Sequence, residues 1–363
     1  MKKIQFLVAA LAALSMFSCS NEEVTGEAPQ VNAKAKVTIS LQGKGETRAT
    51  DDATPHTNDT EINNYIAFFF TNEGALVSKH YVSDPTQSDA NSLTTITTAK
   101  KVCIIANTGA LEGGLFANVT TENQLKAVSG SLAKEISDPF STSTQTGTNV
   151  WSTGTSTVTF NMDTKKGEAT VNMHFLAAKI MVTVIDNRTN NDDPSKIQIT
   201  NKDIVLLNAG GEAHFFAADA DKMVQTQWFN GDVSYDNPSN TVVGTFLSET
   251  YAANGIYFYA FGNSSEDQPT ILAIKAERVE NNNITTVYYP IAFSAADAGA
   301  DTSEYADFVP GNAYDVTLTL TGDVAAGDGG GTIDPEEPLV EAGVAVTISK
   351  ATWNIKPVGK TFN

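Results

Sequence analysis

The sequence predicts a mainly all-β protein with two tandem antiparallel β-sandwich domains and a few short helices. Short apolar or alternating segments recur along the chain, separated by turns rich in Gly and Asn such as Asn72-Glu-Gly74. Only the stretch from Glu122 to Ile136 repeats apolar residues at helical spacing. With 363 residues, 41% hydrophobic and 18% charged, the chain is long enough for two domains of ordinary size.

The N-terminus has the pattern of an export signal. Two lysines precede the apolar run Ile4–Leu14, which is too short to remain in a membrane as a helix. The run ends in Met16-Phe-Ser-Cys19, which resembles the lipobox of bacterial lipoproteins, so residues 1–18 are predicted to be a signal peptide and Cys19 the acylated (palmitoylated) first residue. Asn21-Glu-Glu23 resembles a tag for the outer face of the outer membrane. The alternative is a cysteine that happens to follow an ordinary signal peptide.

The chain is acidic, with a formal net charge of −19. This charge favours solubility and argues against nucleic acid or an anionic membrane as the main partner. Besides Cys19 the chain has one cysteine, Cys103, in an apolar strand segment. We predict that Cys103 packs in the core and is not a nucleophile.

The first predicted strand spans residues 35–41. Its apolar residues alternate with polar ones, which predicts one buried face made of Ala35, Val37, Ile39 and Leu41. About twenty residues without a large apolar side chain follow, and they are expected to be exposed and open to proteolysis. This loop contains Arg48, followed by Ala49; a solvated loop arginine is the alternative interpretation.

We place a domain boundary near residue 175, between domains 49–175 and 176–322. The long Ser/Thr/Gly-rich stretch 131–159 is interpreted as a surface connection. The predicted strands are Tyr65–Phe70, Leu76–Val82, Ser92–Thr98, Lys101–Gly109 and Ala169–Phe175 in the first domain, and Leu176–Ile185, Asp203–Ala209, Gly255–Phe261, Thr270–Glu277, Thr285–Ile291 and Tyr314–Leu320 in the second.

The last twenty residues, 344–363, form an apolar strand pattern behind a Gly-, Pro- and acid-rich linker, 323–343. The apolar positions are Val344, Val346 and Ile348, followed after a change of phase by Trp353 and Ile355. A lone strand cannot satisfy its backbone groups, so it must fold onto its own domain or enter a groove on another molecule. We favour the other molecule. Val346–Ser349 repeats the Val-Thr-Ile-Ser of Val37–Ser40, although coincidence is the alternative.

Sequence motifs of common enzymes are absent. The chain has no Gly-x-Ser-x-Gly, no Walker loop and no His-Glu-x-x-His, and its four histidines lack a second ligand at metal spacing. We therefore predict no enzyme activity, no catalytic residue, no cofactor and no metal. Trp151 and Trp228 are open to two interpretations, sugar contact or a place in the core or a turn.

Several features, in this order along essentially the whole chain, resemble Bacteroidales fimbrillins, the subunits of type V pili. They are the lipobox at Cys19, the strand before Thr47-Arg48-Ala49, the run Cys103–Gly109, the segment Phe308–Leu320 and the ending Trp353-Asn354. The resemblance implies sandwiches of transthyretin-like or immunoglobulin-like Greek-key type.

The resemblance also implies a maturation route. An outer-membrane lipoprotein, attached transiently through Cys19, would be cut after Arg48 by a gingipain-like, arginine-specific protease. The propeptide 19–48 would leave with its strand, and a neighbour's residues 344–363 would fill the vacated groove. The implied partners are copies of the chain, anchor and tip pilins and the protease, and the product is an extracellular fimbrium that supports adhesion or biofilm formation.

Two alternatives remain. One is an anchor or tip pilin; the presence of both Arg48 and a C-terminal strand favours a stalk subunit. The other is a lipid-anchored surface protein that binds glycans or host proteins. This second alternative predicts that the C-terminal strand folds into its own domain and that Arg48 is never cut.

Overall fold

The computed structural model describes much of the chain between residues 32 and 352. The described residues are 32–43, 60–87, 89–109, 111, 114–131, 140–141, 144–145, 150–186, 198–207, 212–216, 241–245, 256–262, 270–292, 310–320 and 344–352. Within these ranges, no helix is long and apolar enough to cross a membrane.

The described part consists of strands and one short helix. The strands are β1 (Lys34–Gly43), β2 (Tyr65–Phe70), β3 (Leu76–Val82), β4 (Ser92–Ile96), β5 (Lys101–Ala106), β6 (Ser129–Ser131), β7 (Phe140–Ser141), β8 (Thr144–Gln145), β9 (Ser152–Thr157), β10 (Thr159–Asn161), β11 (Lys166–Phe175), β12 (Ala177–Asp186), β13 (Gln198–Leu207), β14 (Glu212–His214), β15 (Thr241–Thr245), β16 (Ile256–Phe261), β17 (Ile271–Glu280), β18 (Asn283–Ala292), β19 (Asn312–Leu320) and β20 (Val344–Thr352). The helix α1 (Glu122–Lys126) lies between β5 and β6. The all-β prediction is confirmed.

The first sheet has the strand order β3-β2-β5-β9-β11-β1-β4, with β10 beside β11. Its end strands, β3 and β4, face each other through side-chain hydrogen bonds, so the sheet comes close to a closed barrel. All six residues of β2 are buried, whereas β11 alternates strictly between exposed and buried positions. A strand covered on both faces is apolar throughout, and a strand with one wet face alternates.

The second half contains two four-stranded sheets, β16-β12-β19-β20 and β15-β13-β17-β18. Both halves place their first strand parallel to a late strand: β1 runs parallel to β11, and β12 runs parallel to β19. The other strand pairs are antiparallel. The first sheet and the sheet β16-β12-β19-β20 are therefore mixed, although antiparallel pairing dominates as predicted.

The two halves meet in an aromatic contact. Phe215, just after β14, packs on Phe116 and Trp151, with ring centroids 4.9 and 5.1 Å apart. Beside these rings β6 pairs with β14, and a Cβ on Gly130 of β6 would lie 2.3 Å from the Trp151 ring. Trp151 is 4% exposed. It is therefore a core residue, which decides between the two interpretations of this side chain.

The helix predicted from Glu122 to Ile136 is observed only over Glu122–Lys126, and the prediction is wrong for residues 129–131. Residues 132–136 lie outside the described part of the chain. The helix ends at Lys126, with Ala127 as its C-cap, because residues 129–131 form β6 and pair with β14. Helical spacing of apolar residues is a local signal, and here the pairing with a distant strand overrides it.

The surface connection predicted over 131–159 is also wrong where the chain is described. Residues 152–157 form β9, which lies between β5 and β11 inside the first sheet, although the strand contains only Ser, Thr and Gly. Small side chains are needed there: a Cβ on Gly154 would lie 2.5 Å from the carbonyl oxygen of Asn172. The close packing of small residues against β11, and not an apolar sequence pattern, explains why β9 lies inside the sheet.

Candidate assembly interface at the first and last strands

β1 has backbone partners on both of its edges. It pairs in parallel with β11 over Lys36–Gly43 and antiparallel with β4 over Lys34–Thr38. Beyond these ladders, the Ile39 amide donates to the Asn91 carbonyl over 2.9 Å. We call the space that β1 fills between β11 and β4 the β1 slot.

The predicted apolar face of β1 points into the core. Ala35 is 4% exposed, Val37 is 0% exposed, and Ile39 and Leu41 are each 1% exposed. Burying the three larger side chains is worth roughly 5–9 kcal/mol, at about 1.5–3 kcal/mol each. The structure thus brings these four residues together on one buried face, while the outer face carries exposed lysines.

The sequence did not reveal which strands form the walls of the slot. Both β4 and β11 are predicted strands, but they lie about 50 and 130 residues from β1 along the chain. A strand pattern carries no label for its partner, so only the fold identifies them. Their inward side chains include Leu93 and Thr95 on β4, and Ala169, Val171 and Met173 on β11.

Three of the predicted processing residues fall outside the described part of the chain. They are Cys19, which is the predicted lipid attachment site, and Arg48 and Ala49, which flank the predicted cleavage site. Their roles remain predictions. β1 ends at Gly43, five residues before Arg48.

The C-terminal strand pairs with its own chain, which is not the placement that we favoured. β20 runs antiparallel to β19 through nine register pairs, from Leu320 opposite Val344 to Asn312 opposite Thr352. The physical reason is that the backbone of a lone strand needs partners, and β19 supplies them within the same molecule. Val346 stands opposite Leu318.

β20 nevertheless differs from β1 in its surroundings. Among the described strands β20 is the last in its sheet, paired on one edge only, whereas β1 is paired on both. Ile348 stands opposite Val316 in the register, whose side chain is fully buried. Trp353 and Ile355 lie outside the described residues, so their predicted roles as donor-strand residues stay predictions.

A cavity of about 260 Å³ is lined by residues of both halves, none of which belongs to β1 or β4. Its polar lining includes an ion triad in which Lys101 and Lys126 each approach Glu122 to 2.8 Å. Burial by itself would raise the pKa of Glu122, but hydrogen bonds and charges from the two lysines outweigh it and hold this pKa below its ordinary value. Within the described residues, no group of three or more His, Cys, Asp or Glu could hold a metal ion.

Cys103 lines the same cavity and is 2% exposed. Burial raises its pKa to about 11, against a weaker opposing effect of the Thr155 hydroxyl, which donates to its Sγ over 3.7 Å. The thiolate is the reactive form, and it is scarce at such a pKa. Its placement agrees with a packed core residue and not with a nucleophile.

We expect native Cys103 to be alkylated by iodoacetamide at pH 8 about a hundred-fold more slowly than in the denatured chain, since both thiolate fraction and access are reduced. The rate can be followed by mass spectrometry in a Cys19→Ser chain, where Cys103 is the sole thiol. A further Thr157→Cys substitution provides an exposed control thiol on β9. Equal rates for the two thiols would contradict the core placement.

Comparison with known proteins points to one family. Two sequence-family models match the chain. The family model for the major fimbrial subunit protein (FimA) matches residues 35–207. The family model for the C-terminal domain of FimA-like major fimbrial subunit proteins matches residues 177–353. No curated protein matches the chain.

Solved structures agree with these matches. A crystal structure of a candidate cell adhesion protein from Bacteroides eggerthii is 36% identical, with a TM-score of 0.68, and the match covers 90% of this chain and 98% of that one. A fimbrilin from Porphyromonas gingivalis is 16% identical, with a TM-score of 0.59, and the match covers 88% of this chain and 98% of that one; at this identity it supports the fold alone. From the two family models and the 36% identical relative, we conclude that the chain belongs to the family of FimA-like major fimbrial subunit proteins.

Proposed function

We propose that the chain is a stalk pilin that polymerises head to tail by strand exchange. Proteolysis after Arg48 releases the propeptide 19–48 with β1, and residues 344–363 of a neighbouring copy then enter the β1 slot. The observation that carries this proposal is the difference between the two strands: β1 is paired on both edges over a buried face, and β20 is paired on one edge only.

The exchange has a driving force in the backbone ladders. A strand that leaves the edge of β19 and enters the slot replaces one ladder by two, and each net hydrogen bond contributes about 0.5–1.5 kcal/mol. Ordering the linker residues that precede the strand opposes this gain. The net free energy of exchange is therefore small. Whether exchange occurs depends on whether β1 still occupies the slot.

Cleavage changes that competition. An uncut β1 is tethered to its own slot at an effective concentration on the order of millimolar, which a strand from another molecule cannot match. Cutting at Arg48 removes the tether. It also separates the body from the acylated Cys19, so that a transiently membrane-attached precursor becomes free to join a fibre.

Head-to-tail donation uses two different surfaces on each copy. Such a heterologous contact does not close on itself and yields a filament. The proposed product is a fimbrium at the cell surface that supports adhesion or biofilm formation, with anchor and tip pilins at its ends. In this scheme the body comprises domains 49–175 and 176–322, and 323–343 acts as the linker of the donor strand.

The proposal is tested with the purified precursor and an arginine-specific protease. Cutting should produce a ladder of SDS-resistant oligomers, and deleting residues 344–363 should abolish it. Arg48→Ala should block the formation of these oligomers, whereas Arg188→Ala, which removes another arginine of the chain, should leave it intact. A wild-type chain that is cut after Arg48 yet stays monomeric would refute the proposal.

A second candidate is supported by the position of β20. A lipid-anchored protein that binds glycans or host proteins is expected to fold its C-terminal strand into its own domain, and β20 does pair with β19. In that case the strand is a permanent part of the second sheet. The same ladder experiment separates the two functions, because a permanent strand gives no oligomers after cleavage.

The shared Val-Thr-Ile-Ser suggests a register for the exchange, but the structure exposes a conflict. Placing Val346–Ser349 on Val37–Ser40 brings Lys350 to the position of Leu41. Leu41 is 1% exposed, and an unpaired ammonium group is costly to bury there. This register is therefore unfavourable at its C-terminal end.

A shift of two residues removes the conflict. It places Lys350 at Gly43, at the open end of the slot, and keeps every inward position apolar. The inward residues Ala35, Val37, Ile39 and Leu41 are then replaced in order by Ala342, Val344, Val346 and Ile348.

We expect the shifted register in the fibre, with the donor running in the direction of β1. The outward Ser40 stands opposite the exposed Thr170 of β11. In a Thr170→Cys chain, Thr347→Cys should then form an intersubunit disulfide, and Ser349→Cys should not. Mass spectrometry of the cross-linked dimer identifies the cysteine that is linked to residue 170. Preferential cross-linking of Ser349→Cys would show the unshifted register.

A further inference from the structure

We infer that β4, one wall of the β1 slot, is held in place without β1 by a polar seam to β2 and β3, so that the slot remains formed when β1 leaves. The seam consists of Tyr65 on β2, Ser78 and His80 on β3, Asn91 just before β4, and Thr94 and Thr95 on β4. The occupant that this preformed slot fits is the strand of a second copy, and this part of the inference rests on the proposed function.

The strand order shows why β4 needs contacts other than its pairing with β1. β4 is the last strand of the first sheet, and its backbone ladder among the described strands is with β1 alone. Loss of β1 therefore removes every ladder bond of β4. A wall held only by its ladder would detach together with the strand that it encloses.

Two hydrogen bonds join the middle of β4 to β3. The Ser78 hydroxyl donates to Oγ1 of Thr95 over 2.9 Å, and Nε2 of His80 lies 2.7 Å from the carbonyl oxygen of Thr94. A carbonyl only accepts, so this nitrogen carries the proton. The His80 ring is also fixed edge-on against Phe69, with centroids 6.0 Å apart. Neither hydrogen bond involves β1.

Asn91 fixes the beginning of β4 in the same way. The buried Tyr65 donates its hydroxyl proton to Oδ1 of Asn91 over 2.8 Å, and Nδ2 of Asn91 donates to the Pro85 carbonyl over 2.8 Å. The main-chain carbonyl of Asn91 accepts from the Ile39 amide of β1. One residue thus belongs both to the slot wall and to the framework behind it.

A wall that stays in place lowers the cost of binding a strand. The incoming segment then orders only itself, whereas a detached β4 would have to be ordered at the same time. Ser78, His80 and Tyr65 are therefore positioning residues: they do not line the backbone ladder of the incoming strand, and they act through β4.

The test uses the full chain cut at Arg48 and separated from its released propeptide, at a concentration too low for oligomers to form. The ligand for the vacant slot is a fluorescent synthetic peptide with the sequence of residues 32–43. We expect Ser78→Ala/His80→Phe to weaken peptide binding, measured by anisotropy, by about ten-fold or more. Tyr81→Phe, which removes a hydroxyl from a 38% exposed residue of β3, is the matched control and should bind as the wild type does.

The uncut Ser78→Ala/His80→Phe chain reports on folding, since tethered β1 still holds β4 there. Its melting temperature should stay within a few degrees of the wild type. Equal peptide binding by the double variant and the wild type would overturn the inference.

A second variant tests the seam by strengthening it. In Ser78→Cys/Thr95→Cys, a disulfide replaces a hydrogen bond between two atoms 2.9 Å apart. The oxidised chain should bind the peptide at least as tightly as the reduced chain. Loss of binding on oxidation would show that β4 must move to admit a strand, and would also overturn the inference.

These outcomes are independent of the experiment that detects SDS-resistant oligomers. If the cut wild-type chain binds the peptide but forms no oligomers, the proposed function fails while the seam stands. If oligomers form and the double variant binds the peptide as the wild type does, the seam fails while the proposed function stands.

Discussion

Ile39→Asp is expected to make the precursor form SDS-resistant oligomers without proteolysis. Ile39 is 1% exposed on the inner face of β1, and an unpartnered carboxylate at such a position costs several kcal/mol to bury. The substitution lies on β1 alone, so it should expel this strand and leave the slot to a neighbour's C-terminal strand. An Arg48→Ala background excludes residual cleavage, and SDS electrophoresis without boiling measures the oligomers.

Ser40→Asp is the matched control. Ser40 is the next residue of β1, half-buried on its outer side, so its carboxylate can remain hydrated and the chain should stay monomeric. Oligomers of the Ile39→Asp chain should disappear when residues 344–363 are deleted. Oligomers that persist after this deletion would indicate general aggregation and would count against strand exchange.

Gly154→Ala is expected to destabilise the folded chain by about 2–3 kcal/mol. The new Cβ would lie 2.5 Å from the carbonyl oxygen of Asn172, 2.7 Å from Cγ1 of Val171 and 2.9 Å from Sδ of Met173. The nearest of these atoms is backbone in the adjacent β11, so relief requires that two central strands move apart. Urea unfolding should show a lower midpoint with an unchanged slope.

Thr157→Ala on the same strand provides the comparison. Thr157 is exposed at the end of β9, and surface substitutions of this kind usually change stability by less than about 0.5 kcal/mol. A Gly154→Ala chain as stable as the Thr157→Ala chain would mean that β9 and β11 separate more easily than the close packing implies.

Local sequence patterns determined the fold class of this protein and many of its buried positions. The alternation in β1 predicted its four buried residues one by one, because side chains alternate between the faces of a strand whatever its partner is. The same period predicted the all-β class and most strand positions. The apolar surroundings of Cys103 likewise predicted its burial, since an apolar run in a strand is covered on both faces.

Only the tertiary structure decided which strands meet. β1 lies beside β11 and β4, β20 lies beside β19, and the Ser/Thr-rich β9 lies inside the first sheet because its small residues fit where Gly154 touches β11. The helical pattern after Lys126 gave way to the pairing of β6 with β14. Periodicity reports which face of a segment is apolar, but its partner is set by contacts between residues far apart in the chain, and no single segment encodes them.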